Sequence, residues 1–229
     1  MAIYSTTEVA MEHTTSDPRE RIGLVTLVTG AALLAVARLL ADPGGSPADR
    51  IEQMTHHDVQ VTVSALCAVT GFAALMAGLL TVASAVRGRG AILAAVGSGL
   101  VIAGGVGFAV LSAVDFSTLA ATHAGPRSAM VSYLGALDSS PGILIVTGLA
   151  MVGYMFGPFV VTLAGRRAGF VPRWLPWATL AVLILQPVAE GAGGPSLTRY
   201  VDSVFQLALV AICWVLARCT GDRRRLTDR

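Results

Sequence analysis

The chain contains no lysine, and all 16 of its basic residues are arginine. That excludes a retinal Schiff base, covalent catalysis through a lysine amine, and a phosphate-binding loop with its lysine. Charge of either sign is scarce: 13% of residues against 54% hydrophobic, with a mean hydropathy of +0.70. Soluble domains carry about 25% charged residues, and a soluble chain of this length needs a polar surface that these residues cannot supply. Cysteine is sparse too. Cys67 and Cys213 lie inside apolar runs and Cys219 just beyond the last one, so no structural disulfide is expected and all three read as small apolar fillers.

No zinc-type Cys/His spacing, nucleophile elbow or dinucleotide fingerprint occurs. His56 and His57 are adjacent and point to different faces, and no histidine falls within an apolar run where a bis-histidine haem would sit. No metal and no cofactor are expected. The pI near 8.6 comes mostly from the Arg-rich C-terminal tail, which argues for membrane orientation and against a nucleic-acid partner.

What the chain does have is six long apolar runs: Ile22–Leu40, Val59–Val86, Ala91–Val114, Ile143–Ala164, Leu175–Ala189 and Val201–Ala217. About 20 apolar residues cross a hydrocarbon core of about 30 Å. The expected fold is therefore an all-α integral membrane protein, a six-transmembrane-helix bundle spanning 22–217. A polar tail, 1–21, precedes it and an Arg-rich tail, 218–229, follows it. In the third run Ala91, Ala95, Gly99, Ala103 and Gly107 fall four apart. They read as a ridge for close helix packing that places this helix at the centre of the bundle, and small-residue faces also offer a homo-oligomer contact. Asp42-Pro43-Gly44-Gly45-Ser46-Pro47 stops the first helix, and 48–60 suits a short interfacial helix. The third run is followed by a loop of about 28 residues, 115–142, of a length that is often functional or carries its own short helix. Gly157-Pro158 is expected to kink the fourth helix.

Arginine decides the orientation. The N-terminal tail, the second loop, the fourth loop and the C-terminal tail hold 12 of the 16, leaving Arg38, Arg50, Arg127 and Arg199 on the other side. By the excess of basic residues on cytoplasmic loops, both termini are cytoplasmic and the protein lies in the cell's inner (plasma) membrane.

The remaining chemistry collects at one set of helix ends. Asp58, Asp115, Glu190 and Asp202, with Arg38, His56 and His57, all map to the outer side of this topology. Ionisable groups at membrane depth tend to face a cavity or one another. A carboxylic acid kept protonated by an apolar wall acts as a general acid on a lipophilic substrate, which makes Asp115, Glu190 and Asp202 the catalytic candidates. Arg38, His57 and Asp58 are the ligand-binding candidates. The structural alternatives are equally physical: Asp58 and Asp202 as helix caps, Asp115 and Glu190 hydrated at the interface, and Arg38 snorkelling to the headgroups.

RAGFVPRWLPWATLA, from Arg167 to Ala181, resembles the segment that opens the fifth helix in an uncharacterised family of six-helix bacterial membrane proteins, with Pro176 where a Gly is usual. Asp115-Phe116 after the third run is similar to an outer Asp-Phe in that group. The resemblance implies architecture and assigns no activity. Two functions stay open from the residues: a binder of a small lipophilic ligand or a membrane partner, and an enzyme that starts isoprenoid cyclisation or isomerisation by protonation, as small membrane terpene cyclases of this size do. A small transporter is a minor alternative, since the two halves enter the membrane in opposite directions but no matched pair of broken helices occurs. Membrane lipids are the expected surroundings.

Overall fold

The apolar runs become helices, and most of the connectors between them are helical as well. The computed structural model describes residues 18–40, 46–122, 126–192 and 195–227, with no side chain described at 18–20, 186–187, 189–192, 195–203 or 223–227. In chain order the helices are α1 (Pro18–Leu40), α2 (Pro47–His56), α3 (Asp58–Ser84), α4 (Ala91–Thr122), α5 (Arg127–Asp138), α6 (Pro141–Arg167), α7 (Leu175–Ala192) and α8 (Pro195–Thr227). No strand occurs among the described residues. Among the described residues five segments are long and apolar enough to cross a membrane: Arg21–Leu40, Asp58–Ser84, Gly88–Thr122, Pro141–Arg167 and Val204–Asp222. In α7 the apolar stretch Leu175–Leu185 is shorter. Large apolar side chains face outward along these helices, among them Val25, Ile92, Val106, Ile145 and Leu207, at 55 to 81% exposure. Such a surface fits a multi-pass membrane protein.

The same plan runs twice. A long helix, a short helix and a second long helix make up α1–α2–α3, and α4–α5–α6 repeat it. Within each unit the two long helices meet along glycines. A Cβ placed on Gly78 would lie 2.5 Å from the Leu27 backbone of α1, and one on Gly104 would lie 2.8 Å from the Gly153 carbonyl carbon of α6. Contacts this close exclude any side chain and bring the backbones together, as packing in lipid requires. In α4 the buried positions are Ala94, Gly97, Val101, Gly104 and Gly107, with Thr118 further on. This corrects the expected ridge, because Ala91, Ala95 and Gly99 face outward and nothing approaches Gly99. A strict four-residue step turns about 40° around the helix each time, so five such residues wrap across about 160° and cannot form one seam. Alternating three- and four-residue steps stay on one face. Nor is α4 central: it packs against α3 and α6, with its far side outward.

The run boundaries also shift. Asp115 does not end its helix, since α4 continues two turns further to Thr122, and most of the expected loop 115–142 is helix, including all of α5. In α6 the helix passes through Pro158 unbroken, and α8 continues through the expected boundary at 217 to Thr227.

The bundle has two unlike ends. At one end lie Arg87, Arg89, Arg166, Arg167, Arg173 and Arg218, with Trp174 and Trp177 exposed beside them and Arg218 over the Trp214 ring at 5.6 Å. Here Gly169, at φ +85°, turns the chain from α6 toward α7. At the other end α2 and α5 form a cover. Ser46 caps α2 reciprocally with Asp49, and Pro47 opens its first turn. Arg50 of α2 bonds Asp138 of α5 at 3.0 Å, and Arg127 of α5 bonds Glu52 of α2 at 2.8 Å. Between these crossed pairs Ile51, Met54 and Leu134 are buried.

Candidate functional site

The main core cluster lies toward the arginine-rich end, where Val82, Val86, Ala94, Val161, Ala164 and Leu216 close on one another. Toward the covered end the long helices part, leaving a chamber of about 690 Å³. Its floor is aromatic. Phe72 of α3 stacks on Phe108 of α4 with centroids 3.8 Å apart, and Tyr154 of α6 meets both rings edge-on at 5.7 Å. Edge-on and stacked rings interlock three helices where the tight packing ends. Above the floor the walls are mostly aliphatic, with Leu34, Ala65, Ala68, Leu111 and Leu183 among them. Arg50, Gln53 and Met54 of α2 form the roof.

Along α4, Phe108, Leu111, Ser112 and Asp115 recur at three- and four-residue steps, so one stripe faces the chamber. Asp115 therefore stands about 10 Å above the Phe108 ring, two helical turns away. Among the described residues no hydrogen bond or ion pair reaches its carboxylate; Arg50 acts on it electrostatically while bonding Asp138. Arg38, near the end of α1, also lines the chamber and has no carboxylate partner among the described residues. Gln60 and Ser64 of α3 donate to the Leu40 and Ala37 carbonyls at 2.6 and 2.9 Å, which ties the α1 end to α3 and satisfies carbonyls that the helix leaves free.

The expected site residues divide as follows. Arg38, His57 and Asp115 are brought together on the chamber wall. Asp58 is not: it starts α3, stays exposed outside the chamber, and accepts the Val59 N–H at 2.6 Å. Its carboxylate serves its own helix end. Glu190 lies in α7 and Asp202 in α8, but their side chains fall outside the described residues. His56 ends α2 away from the lining. Among the described residues no three His, Cys, Asp or Glu side chains converge to hold a metal ion.

Sequence reasoning missed Arg50 as a lining residue, the aromatic floor, and Gln206. Gln206 of α8 is 3% exposed, lines the chamber, and carries an Oε1 atom with no hydrogen-bond partner among the described residues. A lone amide inside an apolar run was the available signal, because such a group needs a partner in lipid.

No family model matches the chain, and no curated protein and no solved structure matches it either. The function has to be read from the chamber itself.

Proposed function

We propose that this is a six-span plasma-membrane protein with both termini in the cytoplasm, holding one small lipophilic molecule in a chamber near its extracytoplasmic face. The observation that carries this is the chamber: about 690 Å³, aromatic and aliphatic below, with charged and amide groups above. Small-molecule sites span about 300–1,000 Å³ and combine an apolar lining with a few polar groups that orient the ligand. The orientation is supported by the arginines and tryptophans gathered at the opposite end. Counting α7 as a span, the fifth in chain order, brings the number to six and keeps α8 crossing back toward that end. The likeness of Arg167–Ala181 to a six-helix bacterial family agrees with this architecture.

Purification in mild detergent followed by mass spectrometry of extracted lipids tests the reading. One small lipophilic species retained in fixed proportion to protein is the expected result. A well-folded sample that retains nothing overturns it.

A second reading is favoured by one observation, the placement of Asp115 above a stacked aromatic pair. An acid that protonates an isoprenoid double bond and aromatic faces that stabilise the resulting cation are the parts that acid-initiated cyclisation or isomerisation needs. On this reading Asp115→Asn abolishes turnover of an added isoprenoid while leaving expression and melting nearly unchanged, and Glu190→Gln tests the second expected acid. Full activity in both variants removes the enzyme assignment of these residues.

A further inference from the structure

Four polar side chains from four helices stand at one height in the chamber. Gly221 of α8 lies against Leu24 of α1, where a Cβ would be 3.7 Å from the Leu24 side chain. From that contact the two antiparallel helices climb toward the cover, about 21 Å along α1 to Arg38 and about 22 Å along α8 to Gln206. The second pair is levelled from the aromatic floor. The Phe72–Phe108 stack fixes α3 against α4, and from it Asp115 lies about 10 Å up α4 and Ser64 about 12 Å up α3. The Ser64 hydroxyl bonds the carbonyl of Ala37, the residue before Arg38, which joins the two measurements. Arg38, Ser64, Asp115 and Gln206 therefore form a collar, and all four line the chamber.

The collar is incomplete in a specific way. Arg38 offers donors and a positive charge without a carboxylate partner among the described residues, and Arg38 and Asp115 make no ion pair although they share a level. Gln206, nearly fully buried, presents an acceptor that nothing among the described residues fills. Burying an amide without its hydrogen bond costs stability and returns nothing to the fold. Below the collar, down to the rings, the lining is apolar apart from the Ser112 hydroxyl.

We infer that the occupant is a medium-length amphiphile whose head combines an anion, held by Arg38, with an O–H or N–H donor, taken by Gln206 and facing Asp115. The assignment rests on the chamber being a ligand site. An anion alone would meet Arg38 but also the Asp115 carboxylate, and would leave Gln206 unfilled. A neutral alcohol would fill Gln206 and leave Arg38 unpaired. A head with both groups places its negative end toward α1 and its donor toward α4 and α8. The hydrocarbon tail then runs about 10 Å down to the aromatic floor.

The test uses the full chain in phosphatidylcholine nanodiscs, cleared of retained lipid, titrated with 3-hydroxydecanoate, decanoate and 1-decanol. Binding of 3-hydroxydecanoate at least tenfold tighter than either comparison compound is expected. Gln206→Met, close in volume, should raise the melting temperature of the ligand-free protein and reduce 3-hydroxydecanoate to the level of decanoate. Arg38→Gln should reduce it to the level of 1-decanol. Equal binding of the three compounds overturns the inference, whether or not the variants fold, and so does unchanged preference in Gln206→Met. If none of the three binds while the purified protein carries some other retained lipid, the head-group assignment fails and the ligand site stands. If nothing is retained and nothing binds, both fall.

Discussion

Toward the arginine-rich end, Val82, Val86, Ala94, Val161, Ala164 and Leu216 pack with no more than 6% of their surface exposed, whereas toward the cover the same helices enclose about 690 Å³. The difference follows from what holds each half. Glycine seams set backbone separation within each pair of long helices, and where the two pairs also meet each other the interior fills. Nearer the cover the pairs diverge, and larger groups such as Phe72, Phe108 and Tyr154 close only the bottom of the gap. In lipid a helix gains nothing by hiding apolar surface from water, so close fit has to supply the association. The packed half has that fit. The hollow half is held by a roof of two short helices and a few hydrogen bonds, and it is there that unpaired polar groups collect.

Substitutions in the two halves should therefore differ in size and kind. The largest effect is expected from Gly104→Leu, whose side chain would enter the Gly153 backbone of α6. Destabilisation of about 3 kcal/mol or more, or failure to recover folded protein, should appear in detergent unfolding. Gly99→Leu, on the same helix but with nothing near it, should change stability by less than about 0.5 kcal/mol. Equal effects of the two would refute the seam. Next in size is Leu134→Ala under the cover. Removing this 1%-exposed side chain should cost about 2 kcal/mol locally, seen as faster amide exchange across α5 and α2 with the glycine seams still protected. If exchange rises equally in the seams, the cover and the packed half are one cooperative unit.

Asp138→Asn is expected to matter less. Its bond to Arg50 joins partly exposed side chains, and such pairs contribute about 0.5 kcal/mol, so its loss should show only as a small rise in α5 exchange that high salt reproduces in the unmutated protein. The smallest effect is expected from acid. The Ser46 hydroxyl and backbone N–H both donate to Asp49 at 2.8 Å and hold its carboxyl below the ordinary value of 3.8. A lowered value means the charged form supports the folded state. Its contribution is complete above the unfolded value and fades as pH falls through the folded one. Amide exchange in α2 should thus be insensitive to Asp49 titration above about pH 5 and increase below it, and Ser46→Ala should remove that increase.

How much of this could be read from residue order follows the same division. Long apolar runs announce themselves by length alone, and the alternation of arginine between connectors marks which helix ends lie together. From those ends Arg38, His57 and Asp115 could be placed side by side. Ending the third helix at Asp115 was the characteristic error. A charge closes an apolar run on paper, but a carboxylate that faces a chamber interrupts no backbone hydrogen bond, so α4 continues to Thr122. Similarly, Asp58 resembles its neighbours in chemistry, yet its position at the first turn of α3 engages it with the Val59 amide. Gln206 escaped because an uncharged amide scarcely lowers the hydropathy of its run. The glycine seam was misplaced because a four-residue spacing looks regular in a line and spirals on a cylinder.

The repeated plan of long, short and long helices also has a consequence for how the molecule is made. The glycine contacts of α1 with α3 are complete once residue 84 is in the membrane, and those of α4 with α6 once residue 167 follows. The ion pairs of the roof join residues 88 and 75 positions apart and cannot form before the second unit arrives. Gln206 comes later still, on the last helix. Membrane insertion in chain order therefore builds two finished hairpins around an unfinished room, with α8 added as its final wall. A chain ending at residue 194 should keep both seams protected from exchange while losing any lipid that the full chain retains, and a truncated chain that still carries such a lipid would show that the room is complete without its last wall.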